Sequence, residues 1–127
     1  MIAEVLDSSA VLAVVLNEPG ASVVKTGTKG VCISAVNLAE VVSKLCDQLF
    51  SKDQIDLIVG GLDLQVVPFD ESQAIVAGQM RTATRHLGLS LGDRACLALA
   101  IGEKATVITA DRSWAGLDLG IEIKLIR

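Results

Sequence analysis

Aromatic side chains are almost missing from this 127-residue sequence: they make up 2% of it and include no tyrosine. Proteins that hold single strands by their bases stack those bases on aromatic rings, and this sequence has almost no surface of that kind. A cationic excess is missing too, because 15 acidic side chains outnumber 11 basic ones and leave a net charge of -4. The charge balance excludes a general electrostatic grip on phosphates, so a nucleic-acid partner would need a local cation to offset the acids.

Long apolar runs and secretion signals are absent as well. Although 51% of the residues are hydrophobic, no run reaches the roughly 18 residues of a membrane-spanning helix. The first residues also lack the basic stretch, apolar core and cleavage site of a secretory signal. We therefore expect a soluble, cytoplasmic protein with no membrane partner. Cys32, Cys46 and Cys96 are odd in number and far apart, which excludes a disulfide framework, and we expect them to be small core residues.

Short β-branched runs alternate with helical patterns from one end of the chain to the other. This alternation is typical of an α/β fold with a mostly parallel sheet flanked by helices. We predict one domain over residues 1–127, since a chain of this length can bury one sizeable core. The five predicted strands cover residues 2–6, 31–33, 64–67, 106–109 and 121–126.

Helical patterns fill the segments between these strands. Ser34 is positioned to cap a long helix that ends near Phe50 and carries Asn37 and Glu40 on its polar stripe. Residues 92–101 are apolar nearly all round, which predicts a central, buried helix. The other predicted helices cover residues 10–16, 21–26, 53–61 and 70–86.

Four carboxylates lie where a parallel sheet places its ligands. Asp7 and Asp111 follow predicted strands, and Glu40 and Asp93 lie in the first turns of helices, so all four can meet beyond the carboxyl ends of the strands. Acids gathered there would repel one another unless cations intervened. Oxygen ligands suit Mg²⁺ or Mn²⁺, and such a site suits phosphodiester cleavage.

Each of these acids also has a structural interpretation. Asp7 and Asp111 could cap the helical segments that follow them. Glu40 lies on a polar stripe and fits a solvated residue by periodicity. Asp93 would gain from the helix dipole, although its segment has almost no other polar side chain. The residues alone therefore predict an acidic site on an α/β sheet, without fixing its role.

Four segments carry a family pattern in order along the chain: VLDSSA at residues 5–10, ISAVNLAEV at 33–41, LSLGDRA at 89–95 and VITADRSW at 107–114. In these segments the sequence resembles the PIN domain and, within that family, the VapC-type toxin ribonucleases of bacterial toxin–antitoxin pairs. The resemblance implies that Asp7, Glu40, Asp93 and Asp111 are catalytic acids that bind Mg²⁺ or Mn²⁺ and hydrolyse RNA. The fourth acid varies more among relatives, which makes Asp111 the least regular ligand.

The resemblance also has implications for supporting residues and partners. Ser9 and Thr109 match hydroxyl positions that line the family's pocket, where they would hydrogen-bond carboxylates. VapC-type toxins are implied to form homodimers and to be blocked by a cognate antitoxin protein. Among the basic residues, Arg94 and Arg112 directly follow two proposed ligands and could contact RNA phosphate or antitoxin, or form ordinary salt bridges. Arg81, Arg85 and His86 share one predicted helix and are interpreted as a solvated face.

Two other classes compete with a ribonuclease. A phosphoreceiver-like signalling domain would also gather acids at strand ends, but no second acid adjoins Asp7, and no closing helix follows the last strand. A phosphatase that uses Asp-x-Asp is excluded, because Ser8 and Ser9 follow Asp7. A catalytically silent PIN-fold module that binds and regulates remains open.

Overall fold

Five strands and six α-helices alternate in the computed structural model, which describes residues 1–127. The strands are β1 (Glu4–Leu6), β2 (Val31–Ser34), β3 (Gln65–Val67), β4 (Thr106–Thr109) and β5 (Ile123–Leu125). The helices are α1 (Ser8–Val15), α2 (Ala35–Asp47), α3 (Lys52–Leu62), α4 (Glu71–Gln79), α5 (Arg81–Thr84) and α6 (Leu91–Glu103). Three 3₁₀ turns cover Ala21–Val23, Arg85–Leu87 and Arg112–Gly116. None of the helices has the length and apolar composition needed to cross a membrane.

The five strands form one sheet in the order β3-β2-β1-β4-β5, and every neighbouring pair is parallel. The predicted α/β class is confirmed, and the sheet is parallel throughout. A receiver-type sheet has the order 2-1-3-4-5, so the strand order excludes the signalling-domain alternative. The order reverses between β1 and β4, and in open parallel sheets ligands bind beyond the strand ends at such a switch point.

Side chains of the central strands alternate between two apolar clusters of 12 buried residues each. In β1, Val5 belongs to the cluster that includes α6, and Leu6 belongs to the cluster that includes α1, α2 and α3. This alternation follows from the twofold periodicity of a strand. Both faces of the sheet are covered, and its carboxyl edge is the place where polar groups can gather.

Several local predictions are confirmed and others are wrong. Ser34 caps α2 by accepting a hydrogen bond from the Val36 backbone N–H, and α6 is buried along most of its length. The predicted helix over residues 70–86 is broken at Met80, where α4 ends, and continues as α5 and a 3₁₀ turn. Cys32 and Cys96 are buried, but Cys46 is exposed on α2, so the core prediction is wrong for that cysteine.

Candidate active site

Asp7 lies directly after β1 at the switch point and is only 3% exposed. Its Oδ2 accepts hydrogen bonds from Ser9 Oγ at 2.7 Å and from Thr109 Oγ1 at 3.0 Å. Each hydroxyl in turn accepts a backbone N–H, from Ala110 for Ser9 and from Asp111 for Thr109. A hydroxyl has one proton and two lone pairs, so each can accept its backbone N–H and still donate its proton to Asp7. These bonds join the ends of β1 and β4 and fix one oxygen of the carboxylate.

The other oxygen of Asp7 has no partner. Oδ1 is buried and accepts no hydrogen bond. Burial raises the pKa of Asp7 above its ordinary value of 3.8, and the negative charge of Asp93 raises it further, while the hydroxyls of Ser9 and Thr109 act in the opposite direction. Buried polar atoms nearly always have a partner, so an orphaned carboxylate oxygen at this edge marks a position suited to a cation.

Glu40 lies on α2 and approaches α6 closely at Gly92. Buried Asn37, one turn earlier, donates from Nδ2 to Glu40 Oε1 at 2.9 Å and to the Gly92 carbonyl at 3.0 Å. A Cβ atom at residue 92 would lie 2.1 Å from Glu40 Oε2. The Glu40 carboxylate therefore occupies the space that the missing side chain of Gly92 leaves, and Asn37 holds it there.

Asp93 and Asp111 use their carboxylates as helix caps. Asp93 Oδ2 accepts from the Ser90 backbone N–H at 2.9 Å, while Ser90 Oγ accepts from the Asp93 N–H, so the two residues form a capping box at the start of α6. Asp111 Oδ1 accepts from the Ser113 backbone N–H and hydroxyl at 3.0 and 2.7 Å. The capping interpretation thus describes Asp111 but not Asp7, whose side chain makes no cap hydrogen bond, and Asp93 lies in the first turn of α6, where its cap adds to the gain from the dipole.

The four acids share one edge of the sheet without three of their carboxylates converging. No group of three or more His, Cys, Asp or Glu side chains has an arrangement that could hold a metal ion. Three of the acids nevertheless act on the same neighbour, the Cys96 thiol. The pKa of this thiol is raised well above its usual value of 9.0, first by burial and then by the negative charges of Asp7, Asp93 and Glu40 among others. The donor set consists of carboxylate and hydroxyl oxygens, which fits a hard divalent cation.

The two arginines that follow proposed ligands have different surroundings. Arg94 is only 9% exposed, and its Nη1 donates to the Ala77 carbonyl of α4 at 2.9 Å. It therefore packs between α4 and α6 and takes part in neither ion pair of the chain, while its contact with RNA or an antitoxin stays a prediction. Arg112 is exposed, and its Nε donates to the carbonyl of Arg127 at 3.2 Å.

Sequence reasoning misses the roles of Asn37 and Gly92. The periodicity of α2 puts Asn37 on a polar stripe, but it is fully buried and its Oδ1 has no hydrogen-bond partner. One signal is present in the sequence, since residues three apart share a helix face and Asn37 precedes Glu40 by three. For Gly92, the signal is a glycine in the first turn of an apolar helix, where alanine would be more stable.

The chain was compared with protein families, curated proteins and solved structures, and a family and several solved structures match it. The PIN domain family model matches residues 5–118, and no curated protein matches the chain. The chain is similar to the DNA-bound VapBC from Salmonella typhimurium, with a TM-score of 0.81, 21% identity and all of both chains covered (100% and 100%). It is also similar to a member of the VapBC family of toxin-antitoxin systems from Mycobacterium tuberculosis (TM-score 0.62, 22% identity, 100% of this chain and 99% of that chain). FitAcB from Neisseria gonorrhoeae is similar over 97% of each chain, with a TM-score of 0.67 and 21% identity.

Proposed function

Since the chain belongs to the PIN domain family, we propose that it is a ribonuclease of the VapC toxin type that depends on Mg²⁺ or Mn²⁺. The observation that carries this proposal is Asp7, whose Oδ1 is buried without a partner at the switch point of a parallel sheet. When it is ionised, a carboxylate held in that state needs a cation to offset its charge, and an acidic protein needs a cation to approach RNA.

Asp7, Glu40, Asp93 and Asp111 would hold the cation. When bound there, a divalent cation would neutralise charge on the phosphodiester and lower the pKa of a water molecule for attack on phosphorus. The water would add its oxygen to phosphorus and give one proton to solvent or a carboxylate. The bond from phosphorus to the leaving ribose oxygen would break, and that oxygen would take up a proton from solvent.

The chain's own residues position the acids for this work. Ser9 and Thr109 hold Asp7 Oδ2, which leaves Oδ1 buried without a hydrogen-bond partner. Asn37 holds Glu40 against α6. Asp93 and Asp111 are partly exposed, and their caps are made with local backbone N–H groups that water can replace at modest cost. Each cap uses one oxygen of its carboxylate, so a cation would bind the other oxygen or compete with the cap.

The partners follow from the same premise. Similar structures are complexes of toxin–antitoxin systems, and we extend this to a cognate antitoxin protein that covers the acidic edge. A homodimer is part of the same proposal. Coexpression with a short open reading frame beside the gene tests it: one complex that copurifies and loses nuclease activity is expected. An active enzyme that is unaffected by any such neighbour would contradict it.

The activity itself is tested with mixed RNAs, first with Mn²⁺ or Mg²⁺ and then with a chelator. We expect cleavage that the chelator stops and that Asp7→Asn abolishes. Asp47→Asn is the matched control, because Asp47 is an exposed acid at the end of α2. RNA that stays intact while a cation is bound at the site would instead favour the regulatory binding module.

A further inference from the structure

A cleft lined by two arginines lies along α5 and the 3₁₀ turn that follows it, before the start of α6. Its volume is about 150 Å³, and its walls are formed by Arg81, Thr84, Arg85, Gly88 and Leu89. Gly88 takes a positive φ of 61°, which ends the 3₁₀ turn and returns the chain toward α6. Only one lining residue is hydrophobic, so the cleft suits a polar or charged ligand with water around it.

The two arginines have no acidic partner. The chain contains two ion pairs, Lys52 with Asp56 and Arg127 with Glu18, and neither involves the cleft. Arg81 and Arg85 are four residues apart, a spacing at which like charges on a helical turn repel each other. Two adjacent guanidinium groups without an ion-pair partner therefore make this cleft electropositive on a chain whose net charge is -4.

The cleft adjoins the acidic site along the chain. Leu89 lines the cleft, and Asp93, four residues later, belongs to the acidic edge. Four residues span at most about 14 Å even when fully extended. A strand of RNA whose phosphodiester lies at the carboxylates therefore needs only a few nucleotides to reach the arginines.

We propose that the Arg81–Arg85 cleft binds a backbone phosphate of the RNA substrate, a few nucleotides from the bond that is cut. This inference rests on the proposed ribonuclease function. Guanidinium groups pair with phosphate through two parallel hydrogen bonds. The chain has almost no aromatic surface on which to stack bases, so phosphate contacts must supply the hold on a flexible strand. The acids repel that strand, and the cleft offsets this repulsion beside them.

The test measures RNA affinity separately from cleavage. A fluorescein-labelled 12-nucleotide single-stranded RNA is titrated, at constant Mg²⁺, with full-length chain carrying Asp7→Asn so that the probe stays intact. Arg81→Gln and Arg85→Gln are then added together. The matched control is Lys25→Gln with Lys29→Gln, which removes the same charge from exposed residues before β2, at the opposite edge of the sheet.

We expect the arginine variant to bind the RNA at least about tenfold more weakly, with the control close to the parent. The slope of log affinity against log salt should fall by about 0.7, the change expected when one phosphate is no longer neutralised. Equal RNA affinities of the parent, the arginine variant and the lysine control would overturn the inference. It would also be overturned if the arginine variant kept its RNA affinity but bound decaglutamate more weakly than the parent, because the cleft would then be a site for an acidic peptide. If the unmodified chain cleaves no RNA but the arginine-dependent affinity remains, the nuclease proposal fails and the cleft stands.

Discussion

Replacing Gly92 with alanine should separate catalysis from stability. The new Cβ atom would lie 2.1 Å from Glu40 Oε2, 2.4 Å from its Cδ and 2.6 Å from Oε1. Ordinary contact begins at 3.4 Å, so Oε2 has to move by at least 1.3 Å, the difference between the two distances. The displaced group is the far end of a flexible side chain, and it can move without disturbing the backbone.

The consequences for stability and for rate differ in size. Alanine in place of glycine stabilises a helix by up to about 1 kcal/mol, while the loss of the hydrogen bond from Asn37 to Glu40 costs about 1 kcal/mol. The two nearly cancel, so the melting temperature should change by no more than about 4 °C. A catalytic group displaced by an ångström can lower the rate on the order of 100-fold, and we expect a loss of that size in RNA cleavage.

The assay compares initial rates of RNA cleavage with Mn²⁺ and thermal unfolding without it. Gly102→Ala is the control, because Gly102 lies on the same helix and a Cβ there would meet nothing within 4 Å. The control should keep its rate. If Gly92→Ala cleaves RNA as fast as the parent, the Glu40 carboxylate takes no part in catalysis from its position against Gly92. If it unfolds at a much lower temperature, the contact with Glu40 is rigid and the reasoning about a flexible carboxylate is wrong.

Three further outcomes are expected. Burial raises the pKa of Asp7 above 3.8, so the protonated form of Asp7 stabilises the cation-free fold below pH 3.8, and this contribution is lost as pH rises through the raised pKa. Denaturation measured across that range should show that the free energy of unfolding of the parent declines relative to that of Asp7→Asn. Parallel curves for the two proteins would refute this prediction. Thr109→Val removes one hydroxyl from Asp7 and should weaken Mn²⁺ binding about 10- to 100-fold in calorimetry, so unchanged binding would remove Thr109 from the site. Burial raises the pKa of Cys32 to about 11 and that of Cys96 well above 9.0. A thiol reagent at pH 8 should therefore label only the exposed Cys46 until the chain is unfolded. Rapid labelling of a second thiol would contradict the buried positions of the other two.

Features that depend on neighbouring residues could be predicted from the sequence. The side chain of Ser34 and the following apolar periodicity predict the start of α2, and the β-branched run Thr106–Thr109 predicts β4 to the residue. Asp7 and Thr109 could be placed at one edge because the carboxyl ends of parallel strands meet there. The acidic edge follows from local patterns combined with one rule of sheet topology.

Features that depend on tertiary packing could not be predicted. Arg94 has a charged side chain, and only the approach of α4 to α6 explains why it is buried against the Ala77 carbonyl. Asn37 fits a solvated position on its own helix because the partner that buries it, Gly92, lies 55 residues away. The spacing of Ser90 and Asp93 matches a capping box, whereas the approach of the Asp93 carboxylate to the other acids depends on how α6 packs in the fold.

The central claim is that a divalent cation binds at the unpartnered oxygen of Asp7. A crystal of the chain grown with Mn²⁺, with data collected at the manganese absorption edge, tests it most directly. We predict an anomalous peak bonded to Asp7 Oδ1. A peak located elsewhere on the protein, or an Asp7 that keeps its bare oxygen at saturating Mn²⁺, would contradict the account.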